Sequence, residues 1–118
     1  MTKGNLFPAL LRAFFQEWLA EQRSASVHTI RSYRDTWRLL LRFIAGRKGG
    51  GVARIMLADV SAGEVRAFLH HTEHGRRGTI GTRNCRLAAI RSFFSFVADK
   101  DHEYIAQCAE VLTVPLKR

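Results

Sequence analysis

The sequence is poor in cysteine and proline and has no long apolar run, and each shortage excludes a class of protein. Two cysteines among 118 residues, Cys85 and Cys108, do not make a disulfide framework. No apolar run approaches the roughly 20 residues that span a bilayer, and the N-terminus lacks the pattern of a secretory signal. Two prolines and a nearly continuous helical period argue against an all-β fold. We therefore expect a cytoplasmic protein with no membrane partner.

Acidic residues are also scarce. Ten aspartates and glutamates face 19 lysines and arginines, which leaves a formal net charge of +9. The AVILMFWYC set still makes up 47% of the chain, enough for a core and against disorder. A small domain this basic needs an anionic partner, and nucleic acid is the leading candidate.

Apolar residues recur at helical spacing along most of the chain and predict an all-α fold. We expect a compact bundle of four main helices and a short fifth. Ser26, Ser61 and Thr79 are the expected caps of the second, third and fourth helices. Gly46 is expected to end the second helix and to be followed by a flexible basic loop, residues 47–51. The predicted helices cover 8–22, 27–45, 62–74, 80–98 and 103–112.

The second predicted helix separates apolar from basic residues. Laid out at about 100° per residue, its arginines occupy an arc of roughly 80° beside the apolar side. These are Arg31, Arg34, Arg38 and Arg42. Arginines so close together repel each other unless an anion or an acidic group faces them. The alternative is a solvated helix face that Asp35 partly neutralises.

The fourth predicted helix is divided along its length. Residues 79–86 hold one large apolar side chain, whereas residues 87–97 are rich in core types. Because buried unpaired charge is costly, we expect the first two turns to protrude past the bundle. They would carry Thr82, Arg83, Asn84 and Arg86. Such a helix start suits a DNA groove, since its N–H groups favour phosphate and Arg and Asn read base edges. The alternative is a frayed, polar first turn at the surface.

No constellation of catalytic or metal-ligating residues emerges, and we expect neither a cofactor nor a metal. His70 and His74 have the i, i+4 spacing of a zinc pair, but no further ligand motif completes the set. Cys85 has only nearby arginines as activating groups, and Cys108 is typical of a core position. We therefore predict no catalytic residues in this chain.

Two stretches carry a family resemblance. Ser26, Thr29 and Tyr33 form an S-x-x-T-x-x-x-Y opening to the second helix. Residues 87–96 match the pattern L-x-x-[IL]-R-x-F-[FY]-x-[FY]. In this order and spacing they resemble the N-terminal core-binding domain of tyrosine recombinases, also called the phage-integrase SAM-like domain. The resemblance covers about residues 6–113.

The resemblance implies a helical domain that grips duplex DNA at a recombination half-site. Residues 1–113 would form this domain, and residues 114–118 would begin a linker to a catalytic domain absent from the chain. The second and fourth helices of the family enter or line the major groove, and the loop before the fourth contacts phosphates. The implied DNA-binding residues are His28, Thr29, Arg31, Ser32, Arg34, Arg38, Arg76, Arg77, Thr82, Arg83 and Arg86. Gly81 departs from the family pattern, in which a longer polar residue often occupies this part of the fourth helix.

The resemblance further implies that strand cleavage belongs to a parent recombinase or integrase, while this chain is not itself an enzyme. The expected partners are double-stranded DNA, the catalytic domain of the parent chain and other recombinase protomers on DNA. The expected location is the cytoplasm, in a prokaryotic, phage or mobile-element context. The alternative is a helical protein-interaction module whose basic face meets an acidic partner.

Overall fold

The computed structural model describes residues 5–75 and 78–118, with the side chain of Gln22 excepted, and this part is helical with no strand. The predicted all-α fold of four main helices and a short fifth is confirmed. None of the described helices is long and apolar enough to cross a membrane. The elements are α1 (Phe7–Ala13), a π-helical segment (Phe14–Gln22), α2 (Val27–Lys48), 3-10 turns at Val52–Arg54 and Leu57–Asp59, α3 (Ala62–Gly75), α4 (Ile80–Lys100), a 3-10 turn at His102–Tyr104, and α5 (Ile105–Leu112).

The first helix changes its winding halfway. Pro8 lies in the first turn of α1, because its missing N–H would have no partner there. From Phe14 onward the backbone widens into π geometry, and the Arg23 N–H donates to the Trp18 carbonyl five residues earlier, at 2.8 Å. Apolar spacing of three to four residues fits both windings, so the sequence pattern did not distinguish them.

Helix α2 is longer than predicted. The Ser26 hydroxyl caps its start by accepting the Thr29 N–H at 3.1 Å, as expected. The helix continues through Gly46 and ends at Gly49, whose φ is +83°. The prediction that Gly46 ends α2 was wrong, because the left-handed backbone that needs a glycine falls three residues later.

Helices α3 and α4 begin at the predicted caps. The Ser61 hydroxyl accepts the Glu64 N–H at 3.1 Å, and the Thr79 hydroxyl accepts the Thr82 N–H at 3.0 Å. The predicted last helix is a 3-10 turn followed by α5, which packs on α4 and α3. Its Gln107 amide donates to two carbonyl oxygens around the Leu57–Asp59 turn.

The core is aromatic and joins α2 to α4. The ring of Phe93 on α4 lies 4.7 Å from that of Trp37 on α2 and 5.4 Å from that of Phe14, centroid to centroid. The Trp37 indole N–H donates to the Ala89 carbonyl at 3.3 Å. The buried faces of α2 and α4 are therefore locked together, which fixes the relative position of their outer faces.

Candidate nucleic-acid interface

One side of α2 carries a row of exposed arginines, which we call the arginine face: Arg31, Arg34, Arg38 and Arg42. The side of the helix next to these arginines buries Trp37, Leu40 and Ile44 in the core. The predicted separation of the basic and apolar sides is confirmed. Since the helix is rigid and packed, the four guanidinium groups stay grouped on one side of the molecule.

The arginine face has little internal neutralisation. Arg38 lies 3.6 Å from Asp35, but these side chains are 61% and 72% exposed, so water screens the pair. The Arg34 guanidinium sits 5.7 Å from the centre of the Phe15 ring, a contact that leaves its charge intact. The face therefore presents concentrated positive charge to solvent.

Beside the arginine face, the start of α2 meets α4 across a shallow cleft of about 330 Å³, which we call the α2–α4 cleft. It brings three of the sequence-predicted residues together with the outer side of α4. The cleft is lined by His28, Thr29, Ser32, Tyr33, Cys85 and Ala88. Sequence reasoning had missed Cys85 and Ala88 as surface-forming residues. The sequence feature that could have identified them is a pair of small side chains three residues apart on the polar side of α4. Small side chains there allow another molecule to approach the helix closely.

The first turn of α4 lies at the same end of the bundle. Thr82 is exposed, and its hydroxyl lies 3.0 Å from that of the capping Thr79. Ile80 and Gly81 are exposed beside it, whereas Arg86, one helical turn further, is half-buried. A capped helix start with small neighbours is suited to an anion, because its free N–H groups and dipole carry partial positive charge.

The expectation that Arg83 and Asn84 protrude was wrong. Arg83 is buried, with 8% exposure, and its Nη1 donates to the Pro115 carbonyl at 3.1 Å. The half-buried Asn84 pairs with the backbone of Lys117. These contacts satisfy the polar groups inside the molecule, so the cost that argued for protrusion does not arise. The prediction that Arg83 reads DNA has no support from its placement.

The predicted basic loop is also corrected. Arg47 and Lys48 lie in the last turn of α2, where Arg47 pairs with Glu64 at 3.1 Å and Lys48 with Asp59 at 2.5 Å. Burial acts to raise the pKa of Asp59, but hydrogen bonds from Lys48 and the Met56 N–H, with the Lys48 charge, outweigh it. The pKa of Asp59 therefore lies below its ordinary value. These two cations hold the fold together at the end of α2 distant from the cleft.

Arg76 and Arg77, predicted to contact phosphates, lie outside the described residues. Within the described part, the structure groups the other predicted residues into two adjoining surfaces. His28, Thr29 and Ser32 line the cleft, and Arg31, Arg34 and Arg38 belong to the arginine face. Thr82 and Arg86 lie in the first two turns of α4, where Thr82 is exposed. Arg86 is half-buried with its Nη1 atom buried, so it protrudes less than predicted, and Arg83 is fully turned inward.

Comparison with known proteins places the chain in a family. Residues 11–101 match the family model of the phage integrase N-terminal SAM-like domain. Two proteins of Sinorhizobium fredii, named integrase/recombinase y4rD and y4rC, are each 42% identical to the whole chain, which spans 42% and 36% of their lengths. Tyrosine recombinase XerC of Rhodospirillum centenum is 33% identical over 83% of the chain, which covers 28% of that protein. No solved structure gives a significant match. The chain belongs to the phage integrase N-terminal SAM-like domain family.

Proposed function

We propose that this chain is the core-binding domain of a site-specific tyrosine recombinase or integrase and grips duplex DNA at a recombination half-site. The observation that carries the proposal is the arginine face, four exposed guanidinium groups on one side of α2 with Asp35 as their acidic neighbour. A row of cations on a rigid helix matches the regular negative charge of a phosphate backbone.

The α2–α4 cleft extends this interface with smaller polar groups. His28, Thr29 and Ser32 offer hydrogen-bonding side chains beside the arginines, and Cys85 and Ala88 leave room for a groove edge. In this arrangement the arginines contact phosphates and position the domain, while the cleft side chains contact base edges. Thr82 and the N–H groups at the start of α4 would bind a further phosphate.

The chemistry of strand exchange would lie in a separate part of a longer protein. The relatives named as integrases or recombinases are more than twice as long as this chain. In this proposal residues 1–113 bind DNA, residues 114–118 lead towards the catalytic domain, and other protomers assemble on the same DNA. The cytoplasmic setting follows from that function and remains a prediction.

The test is fluorescence anisotropy of a labelled duplex with wild-type chain and two variants. Arg31→Ala should weaken binding by about 1–3 kcal/mol if that side chain contacts a base or a desolvated phosphate. The matched control is Arg54→Ala, an exposed arginine beyond the other end of α2. It removes the same charge, so it should cost markedly less if position matters.

Equal losses in the two variants would reduce the interaction to general charge attraction and contradict the groove assignment. No binding of wild-type chain to any duplex at low salt would overturn the proposal. In that case the better interpretation is that the arginine face binds an acidic protein partner.

A further inference from the structure

The segment after α5 is held against α3 and α4 by a set of contacts that we call the C-terminal clamp. Its members on the helices are Glu73, Arg83 and Asn84, and they hold Pro115 and Lys117. Val114 is buried and ends the core, whereas Leu116 and Arg118 are exposed. Polar contacts, rather than apolar burial, therefore fix the path of the last residues.

The pairing of Asn84 with Lys117 is reciprocal. The Lys117 N–H donates to Asn84 Oδ1 at 2.9 Å, and Asn84 Nδ2 donates to the Lys117 carbonyl at 2.7 Å. A side-chain amide thus satisfies both backbone groups of one residue, as a neighbouring strand would. Ordering a residue costs backbone entropy, so an isolated contact would not hold the segment.

Two further contacts act on the same segment from either side. Arg83 Nη1 donates to the Pro115 carbonyl at 3.1 Å and to Asn84 Oδ1 at 3.2 Å, so it also orients the amide. Lys117 Nζ pairs with the Glu73 carboxylate at 2.9 Å, and the Glu73 side chain is 13% exposed. The hydrogen bond from Lys117 keeps the pKa of Glu73 below its ordinary value against the opposing effect of burial. The Glu73 carboxylate therefore stays charged at neutral pH.

The clamp lies on the first two turns of α4, whose other side forms the α2–α4 cleft. We infer that Asn84, supported by Arg83 and Glu73, is a positioning residue that directs the chain after α5 along the cleft-forming end of α4. Any domain that follows Arg118 would then start from a fixed point beside bound DNA. A connection whose length matches the distance to be spanned raises the effective concentration of a second binding module at its site. The part about DNA rests on the proposed function, whereas the clamp itself does not.

The experiment measures backbone ¹⁵N order parameters of the 118-residue chain with and without a duplex. In the wild type, Leu116 and Lys117 should have order parameters near the ~0.85 of rigid backbone, and in Asn84→Ala they should fall below about 0.6. Asn84→Asp keeps an acceptor for the Lys117 N–H and should restore much of the order. Arg118→Ala, which removes the neighbouring cation, should leave Lys117 rigid.

DNA binding separates positioning from direct readout. Asn84→Ala should bind the duplex within about twofold of wild type, since the side chain faces the clamp. A mobile Lys117 in the wild type, or an equally rigid one in Asn84→Ala, overturns the inference. A large loss of DNA affinity with Lys117 still rigid would also overturn it, because Asn84 would then act as a DNA contact.

A second variant guards against misfolding of the first. Lys117→Pro removes both the N–H that Asn84 accepts and the Nζ that pairs with Glu73. Position 117 lies outside the described helices, so the bundle should stay intact while Leu116 becomes mobile. If wild-type chain fails to bind DNA but the order parameters respond as expected, the proposed function fails and the clamp is supported.

Discussion

At the scale of single residues, the position of an arginine decides whether it serves the fold or a partner. Arg31 and Arg83 carry the same charge, yet Arg31 is exposed on α2 and Arg83 is 8% exposed on α4. The difference arises from the Pro115 carbonyl, which gives the Arg83 guanidinium an internal acceptor. A buried cation with hydrogen bonds stabilises the chain that surrounds it, whereas an exposed one is available to an anion.

This contrast gives a stability prediction. Arg83→Ala should lower the free energy of unfolding by about 1–3 kcal/mol. The Pro115 carbonyl loses its hydrogen-bond donor, and removal of the aliphatic part of the arginine side chain leaves a cavity. Arg31→Ala should change it by less than about 0.5 kcal/mol, as for other exposed positions. Urea unfolding followed by circular dichroism measures both. The reverse order of the two values would contradict the burial described for Arg83.

The burial of Arg83 was beyond sequence reasoning for a physical reason. Its acceptor belongs to a residue 32 positions away, beyond α5. Local spacing reports which side of a helix is polar, but it does not report which distant backbone group covers that side. The arginine face was predictable because its members share one helix and one arc, and helical geometry alone groups them.

At the scale of elements, helix starts were easier to predict than helix ends. Ser26 and Thr79 act through N–H groups three residues away, so the signal is contained in four adjacent residues. The sequence prediction placed the end of α2 at Gly46 and the glycines from Gly49 onward in a loop, whereas the helix continues to Lys48 and is capped by Gly49. The positive φ angles fall at Gly49, Gly50 and Gly51, where the chain turns towards the buried Ile55.

The same two glycines form a matched pair for experiment. A Cβ at Gly46 meets no atom within 4 Å, so Gly46→Ala should raise the unfolding free energy by roughly 0.5–1 kcal/mol through helix propensity. Gly49 has φ +83° and ψ 164°, a region that is essentially restricted to glycine, so Gly49→Ala should lower it by about 1–3 kcal/mol. Thermal unfolding of both variants checks the pair, and a destabilised Gly46→Ala would mean that α2 ends earlier.

The junction of α2 with the Leu57–Asp59 turn should be sensitive to acid. The folded chain holds the pKa of Asp59 below its unfolded value, so the unfolded state binds the proton more readily. The resulting stability is present above the unfolded pKa, near 4, and is lost as pH falls through the lowered value. Asp59→Asn should flatten this part of the stability profile below about pH 5. Lys48→Met should flatten it too, whereas an unchanged profile in both would exclude the pair as its source.

At the scale of the whole molecule, the excess of nine positive charges predicts strongly salt-dependent DNA binding. The logarithm of the binding constant should fall linearly with the logarithm of salt concentration, with a slope of about −0.9 for each phosphate contacted. Removing one arginine of the arginine face, such as Arg42, should reduce the slope by about 1. Anisotropy titrations at several salt concentrations measure this, and a slope near zero would show that charge does not drive the association.

The hydrogen bond between the Trp37 indole and the Ala89 carbonyl joins α2 to α4, so Trp37 fluorescence reports whether these two helices remain packed. The indole of Trp37 is 2% exposed, shielded by Phe93 and by α4. The chain has two tryptophans, so Trp18→Phe would leave Trp37 as the sole source of tryptophan fluorescence. A molecule that binds the arginine face or the α2–α4 cleft would leave the wavelength of that emission unchanged. Separation of the two helices would expose the indole to water and shift it to longer wavelength.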